Sequence, residues 1–247
     1  MLLVYTLSRF DYNWGAIMAI STYDTLKSGI ADFLNRDDLT AVIPTFIDLA
    51  EGQINRDVRH WKMETTAQQG ISSDFAYLPD GWLEIKNAQY YPDINDPTKF
   101  SPLEYLSQNA FDERKVNSEN EIGDPKYYTL AGLNGLGVMM LFPQPKALTD
   151  HKVNVSYLNE FDLGISSTSN WLLVYYPDVY LYGSLIHAAI YLKDDERLAL
   201  FSQMYGAAVQ RVNASSQDAE YKHDRLRTRK LGLDTSRSKQ PNHVRWS

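Results

Sequence analysis

A chain of 247 residues with 44% hydrophobic and 22% charged side chains has the balance of an ordinary globular protein, long enough to bury a real core in one large domain or two small ones. The absence of cysteine excludes a disulfide framework, a thiolate metal site and a cysteine nucleophile. The net charge of −7 is uneven: seven Lys or Arg against Asp224 and Asp234 give residues 223–247 a charge of +5 and leave the remainder at −12, a body ill suited to gripping nucleic acid with a basic end that can bind phosphate or an acidic protein groove.

Residues 1 to 17 open with the apolar run Met1 to Leu7, which lacks a basic start and is followed at once by Ser8, Arg9 and Asp11. It is too short to span a bilayer and poorly formed as a secretion signal, so no export is read. Met18 begins a more regular segment, and the residues before it are expected to be an extension from an upstream start. Ser21 or Thr22 can cap a first helix carrying Leu26, Ile30, Phe33 and Leu34 at helical spacing. In a second helix Phe46, Ile47, Ala50, Ile54 and Val58 form one stripe. Glu51, Gln53, Arg56 and Asp57 fall mostly on the other side, and Pro44 suits the first turn. From Asp74 to Leu158 the signals become extended. Tyr77 to Gly81 reads as a turn, and Trp82, Ile85, Ala88 and Tyr90 as a strand. Asn134-Gly135 marks a hairpin between two apolar runs, and Lys152 to Leu158 alternates with Val153, Val155 and Tyr157 on one face. Helices return at Ser169 to Tyr176 and again after Pro177. The last one shows Leu198, Phe201, Tyr205, Ala208 and Val212 as a heptad-like seam, either core packing or a helix–helix contact. Beyond Lys222 the apolar period stops, and the rest reads as unfolded until a partner orders it.

The groups that could carry chemistry each have a plainer reading. Gly132 to Gly137 has the wrong glycine spacing for a phosphate loop and leads into a strand, which favours the hairpin. Asp93, Asn95, Asp96 and Glu104 approach a calcium loop, but Pro97 stands where an oxygen ligand belongs and Thr98 where a glycine is needed. Asp194, Asp195 and Glu196 read as the start of a helix, where acids are stabilised by the dipole. His60, His151, His187, His223 and His243 are scattered, with no pair at metal-ligand spacing, and His187 reads as a core or interface residue. No G-x-S-x-G or H-E-x-x-H occurs. The 17 Tyr and 5 Trp fit a surface buried against a partner and a tyrosine-rich core equally well. Neither a catalytic residue, a metal site nor a cofactor is expected.

The ordered set TYDTLKSGIADFLNRDDL, IPTFIDLAEGQINRDVR, YLPDGWLEIKNA, GDPKYYTLAG, FPQP, VSYL and SNWLLVYYPDVYLYGSLIHAAIYLKDDERL resembles the head-to-tail adaptor, or connector, proteins of tailed bacteriophages, over about Tyr23 to Tyr221. The resemblance implies a structural virion protein rather than an enzyme. It implies a homo-oligomeric, dodecameric ring under the portal protein, with tail or nozzle proteins below, viral DNA passing through without specific binding, and no membrane. The place implied is the head–tail junction of the virion, reached from the host cytoplasm during assembly. The expected fold class is α+β: mainly a helical bundle with an inserted small β-rich module and an extended basic C-terminal arm. Its parts would be an N-terminal extension over 1–20, bundle helices over 21–73, the β-rich module over 74–165, bundle helices over 166–222 and a portal-docking arm over 223–247. Arg225, Arg227, Arg229, Lys230, Arg237, Lys239 and Arg245 would supply the arm's charge, and Leu231, Leu233 and Trp246 its apolar anchors. Two other readings stay open: another tail component, such as a tube or fibre-attachment protein, and a phage-encoded hydrolase.

Overall fold

The computed structural model describes residues 20–231 apart from positions 37, 94, 97, 119–120, 147–150 and 165–166. In chain order the elements are α1 (Tyr23–Leu34), α2 (Ile43–Asp57), a 3₁₀ turn (Trp61–Met63), β1 (Glu64–Ser72), β2 (Phe75–Tyr77), β3 (Trp82–Tyr91), β4 (Ser101–Pro102) and β5 (Glu104–Tyr105). They continue with α3 (Gln108–Asn117), β6 (Tyr127–Leu133), β7 (Leu136–Phe142), β8 (Lys152–Asn159), α4 (Trp171–Tyr175), α5 (Pro177–Leu192) and α6 (Asp195–Leu231). The described residues up to 56 form one compact unit with residues 162–209, and residues 57–161 form a second with those from 210 onward.

The first unit is helical. Thr22 caps α1 through a reciprocal pair with Thr25, in which each side-chain oxygen accepts from the other residue's backbone N–H. Leu26, Ile30 and Leu34 then recur four apart on the buried face; complete burial of Leu26 or Ile30 contributes roughly 1.5–3 kcal/mol each. Asn35 ends the helix at φ 50°, donating its N–H back to Ala31 and Asp32. Helix α5 starts on Pro177, whose missing N–H costs nothing in the first turn. It is apolar on nearly every side, with Val179, Tyr180, Leu185 and Ala188 fully buried, as the central helix of a cluster must be. Gly183 lets its neighbours close in: a Cβ there would lie 3.2 Å from the Ala50 methyl and 3.4 Å from the Tyr205 ring.

The second unit is a sheet of eight strands in the order β4-β3-β8-β1-β2-β7-β6-β5. Its two edge strands are consecutive in the chain. Residues 101–102 pair antiparallel with β3, and residues 104–105 pair parallel with β6. The extended segment between Ser101 and Tyr105 therefore bridges both edges, and the sheet nearly closes into a barrel. Leu103, at the crossing point, is buried in the core while its N–H donates to the Ala88 carbonyl at 2.9 Å. Alternation sends Ala88 and Tyr90 of β3, Met139 and Leu141 of β7, and Val153, Val155 and Tyr157 of β8 inward. Two bulges in the β3–β8 pairing add the bend that closure needs. The hairpin between β6 and β7 turns on Asn134 (φ 52°) and Gly135 (φ 81°), the positive angles of a tight two-residue turn.

This architecture corrects the expected fold class. The chain is not mainly a helical bundle with a small β-rich insert, because the strands build a barrel-like sheet with its own core. Much of that sheet is silent at the level of pattern. Strand β1 is polar (ETTAQQGIS) and only partly buried on one face, while β2, β4 and β5 have two or three residues each, too few for a period to register. The extended arm is corrected as well. Helix α6 continues to Leu231, well into the stretch read as unfolded, since Arg, Leu and Lys are good helix formers even where no apolar period remains. The remaining arm residues, 232–247, and residues 1–19 of the extension expected over 1–20 lie outside the described residues.

Candidate functional site

The acidic and glycine-rich groups flagged in the sequence serve the fold locally. Asp194 caps α6, its Oδ1 accepting the Arg197 N–H at 3.1 Å while Oδ2 pairs with the Arg197 guanidinium at 3.2 Å. Asp93 accepts the Asn95 N–H at 2.8 Å, and Asp96 accepts from both the N–H and the hydroxyl of Thr98. Those Thr98 bonds, with the Lys99 ammonium, hold the Asp96 carboxyl down to about 2. Both aspartates are thus engaged with the loop itself. Among the described residues no three His, Asp or Glu side chains cluster as metal ligands.

The histidines divide by environment. His60 accepts the Lys62 N–H on Nδ1 at 3.1 Å and shares a hydrogen bond with Ser215 through Nε2 at 3.2 Å. His151 Nδ1 and His187 Nε2 are buried without a hydrogen-bond partner among the described residues, as is the Tyr90 hydroxyl in the barrel core. Burial lowers the pKa of His151, and burial followed by the Arg56 guanidinium lowers that of His187. His223 lies on α6, and His243 lies outside the described residues.

One buried carboxylate departs from the sequence reading. Glu51, placed with the polar face of α2, is 8% exposed. The Leu163 N–H reaches its two oxygens at 2.9 and 3.0 Å, and the Tyr180 hydroxyl donates to Oε1 at 2.7 Å. Asn170 Nδ2 donates in turn to the Tyr180 oxygen at 2.8 Å, while its own Oδ1 caps α4 through the Leu173 N–H. Burial raises the Glu51 carboxyl above its usual range, opposed by the bonds from Tyr180 and Leu163. Burial and the Glu51 charge push the Tyr180 phenol far up, so it stays a donor. Both carboxylate oxygens have partners, and the network's effect is to tie the loop after β8 to α2 and α5. The partners lie more than 100 positions away in sequence, so no local pattern announces them.

The residues expected to make contacts are placed as follows. Phe201, Tyr205, Ala208 and Val212 are buried and Leu198 is half-buried, so the seam of α6 faces protein. The first three lie in the helical unit and Val212 in the barrel unit. Beyond Val212 the helix is held by Asn213, whose Oδ1 accepts the Arg59 N–H at 2.9 Å and whose Nδ2 donates to the Asp57 carbonyl, and by Ser216 Oγ on the Trp61 N–H. The other side of α6 exposes Leu200 and Met204, four apart, a pair the sequence reading passed over. Ile190 and Tyr191 on α5, Val174 and Tyr175 on α4, Phe33 on α1 and Leu49 on α2 are also exposed in the helical unit. Such side chains are what a contact with a partner would cover. Arg225, Arg227, Arg229, Lys230 and Leu231 stand on the last turns of α6. Leu233, Arg237, Lys239, Arg245 and Trp246 lie outside the described residues.

The sequence model of one family, described as SU10 adaptor protein, matches residues 21–229. The match begins just before α1 and runs past Tyr221 into the basic stretch. No curated protein matches the chain.

Proposed function

The chain belongs to the SU10 adaptor protein family, and on that premise we propose that it is a structural protein of a tailed-phage virion, the head-to-tail adaptor. Copies form a ring, dodecameric by the family resemblance, that docks under the portal, receives the tail or nozzle proteins below and lets the genome pass. The observation that carries this reading is the length of the family match, which takes in every described element of both units except the last two residues of α6. The role is non-enzymatic. The flagged acids cap helices and turns, and Glu51 is spent on a structural network. A body at −12 repels DNA rather than holding it, which suits a conduit. The basic stretch from His223 is the portal-docking arm, beginning as the end of α6 and offering arginines to carboxylates on the portal.

Electron microscopy of the purified chain mixed with the portal protein of the same phage tests the proposal. Rings of portal diameter that co-purify with the portal are expected. A chain that stays monomeric and elutes apart from the portal would overturn it.

A further inference from the structure

A cavity of about 340 Å³ opens at one end of the barrel, between the β2–β3 turn, the tip of the β6–β7 hairpin and Glu160 just after β8. Its walls are tied together by backbone bonds: the Leu78 N–H donates to the Gly137 carbonyl at 3.0 Å, and the Glu160 N–H to the Gly81 carbonyl at 2.8 Å. Two glycines shape it. Gly81 takes φ +71°, and a Cβ there would lie 3.1 to 3.2 Å from the Glu160 side chain. At Gly137 a Cβ would lie 3.0 Å from Trp82 Nε1, so the absence of a side chain lets the indole edge lie across the hairpin. The cavity is thus set before any ligand arrives.

The chemistry of the lining is selective. Trp82 and Tyr77 supply aromatic surface, Leu136 an exposed apolar side chain, and Asp80 and Glu160 two carboxylates. Among the described residues neither carboxylate has a hydrogen bond or an ion pair, the Trp82 N–H has no acceptor, and no Lys or Arg lines the cavity. Glu84, on the same strand as Trp82, is by contrast taken by Lys86 at 2.7 Å and Arg59 at 3.6 Å. A ligand that satisfies all of this carries a positive charge on a flat group and an acceptor beside it. An arginine side chain on a polypeptide meets both needs. Its guanidinium forms paired hydrogen bonds with a carboxylate and stacks on an indole or phenol face, and the adjoining backbone carbonyl can accept the indole N–H. A neutral sugar would use the aromatic wall and leave the two charges unmatched.

We propose that this cavity is a docking site for an arginine side chain of a partner protein. The site belongs to the barrel unit alone and needs neither a ring nor a head, so its failure leaves the adaptor proposal untouched. The test uses the full chain labelled with 5-fluorotryptophan, the Trp82 resonance being assigned by its loss in Trp82→Phe. Titration with N-acetyl-arginine amide should shift that resonance saturably, while N-acetyl-citrulline amide, of the same shape without the charge, should not. Asp80→Asn with Glu160→Gln should raise the half-saturating concentration tenfold or more. Asp80→Asn alone, at an exposed side chain, should raise it several-fold and serves should the double variant misfold. Equal shifts from the citrulline amide, no shift from either probe, unchanged affinity in the carboxylate variants, or a saturable response to N-acetylglucosamine in place of the arginine amide would each overturn the proposal.

Discussion

Glu51 sits at the centre of the helical unit as a carboxylate that is costly to bury and fully engaged once buried. Removing the Tyr180 hydroxyl leaves Oε1 with one donor fewer and Asn170 Nδ2 without its acceptor. Tyr180→Phe should therefore destabilise the fold by about 1–3 kcal/mol, read as a lower denaturation midpoint with an unchanged slope. His151 and His187 add a pH dependence. Their pKa values are lowered from the ordinary 6.5 in the folded chain, so on acidification the unfolded chain takes up protons first. Their contribution is present above about pH 6.5 and is lost as pH falls through the lowered folded values. Thermal melting should thus drop between pH 7.5 and 5.5, and the drop should shrink in His151→Gln combined with His187→Gln. At this scale the sequence is legible where a residue's partner is close by. Thr22, offered with Ser21 as a cap, and Asp194, read with its neighbours as a helix start, find their partners Thr25 and Arg197 only three residues on. Glu51 is misplaced because Leu163 and Tyr180 are brought to it only by the folded chain.

Helix α6 shows how much one element carries. Its inner stripe packs Phe201, Tyr205, Ala208 and Val212 out of solvent, whereas Leu200 and Met204 stand 50% and 43% exposed on the other side. Phe201→Ala should cost roughly 3–5 kcal/mol in transfer and cavity terms, with ring formation lost alongside. Met204→Lys, on the exposed side, should shift stability by no more than about 0.5 kcal/mol. Equal melting temperatures for the two variants would remove the basis for treating the inner stripe as packed. The same helix explains what periodicity can deliver. The stripes of α1, α2 and α6 extend over several turns, and the alternation of β8 places Val153, Val155 and Tyr157 inside as read. Strands β4 and β5 have no period to detect, and they are the ones that nearly close the barrel. Sheet closure is a property of pairing between distant segments, so it emerges only in three dimensions.

Across the whole molecule, charge and family point the same way. An acidic body with a basic end can repel DNA and still seek an acidic partner surface. The family was legible in the order of segments from Tyr23 onward, although the fold expected with it gave too little weight to strands. Val212, Asn213 and Ser216, which hold α6, precede residue 223, so removal of residues 223–247 should leave the body folded. The most direct measurement is co-sedimentation of the full chain and of residues 1–222 with DNA-filled, tailless heads, each protein first checked by circular dichroism and thermal melting. The full chain is expected to bind at the portal vertex and the shortened chain to fold but not bind. Failure of the full chain to bind would contradict the adaptor reading, and a shortened chain that still docks and completes infectious particles would contradict the role of the arm.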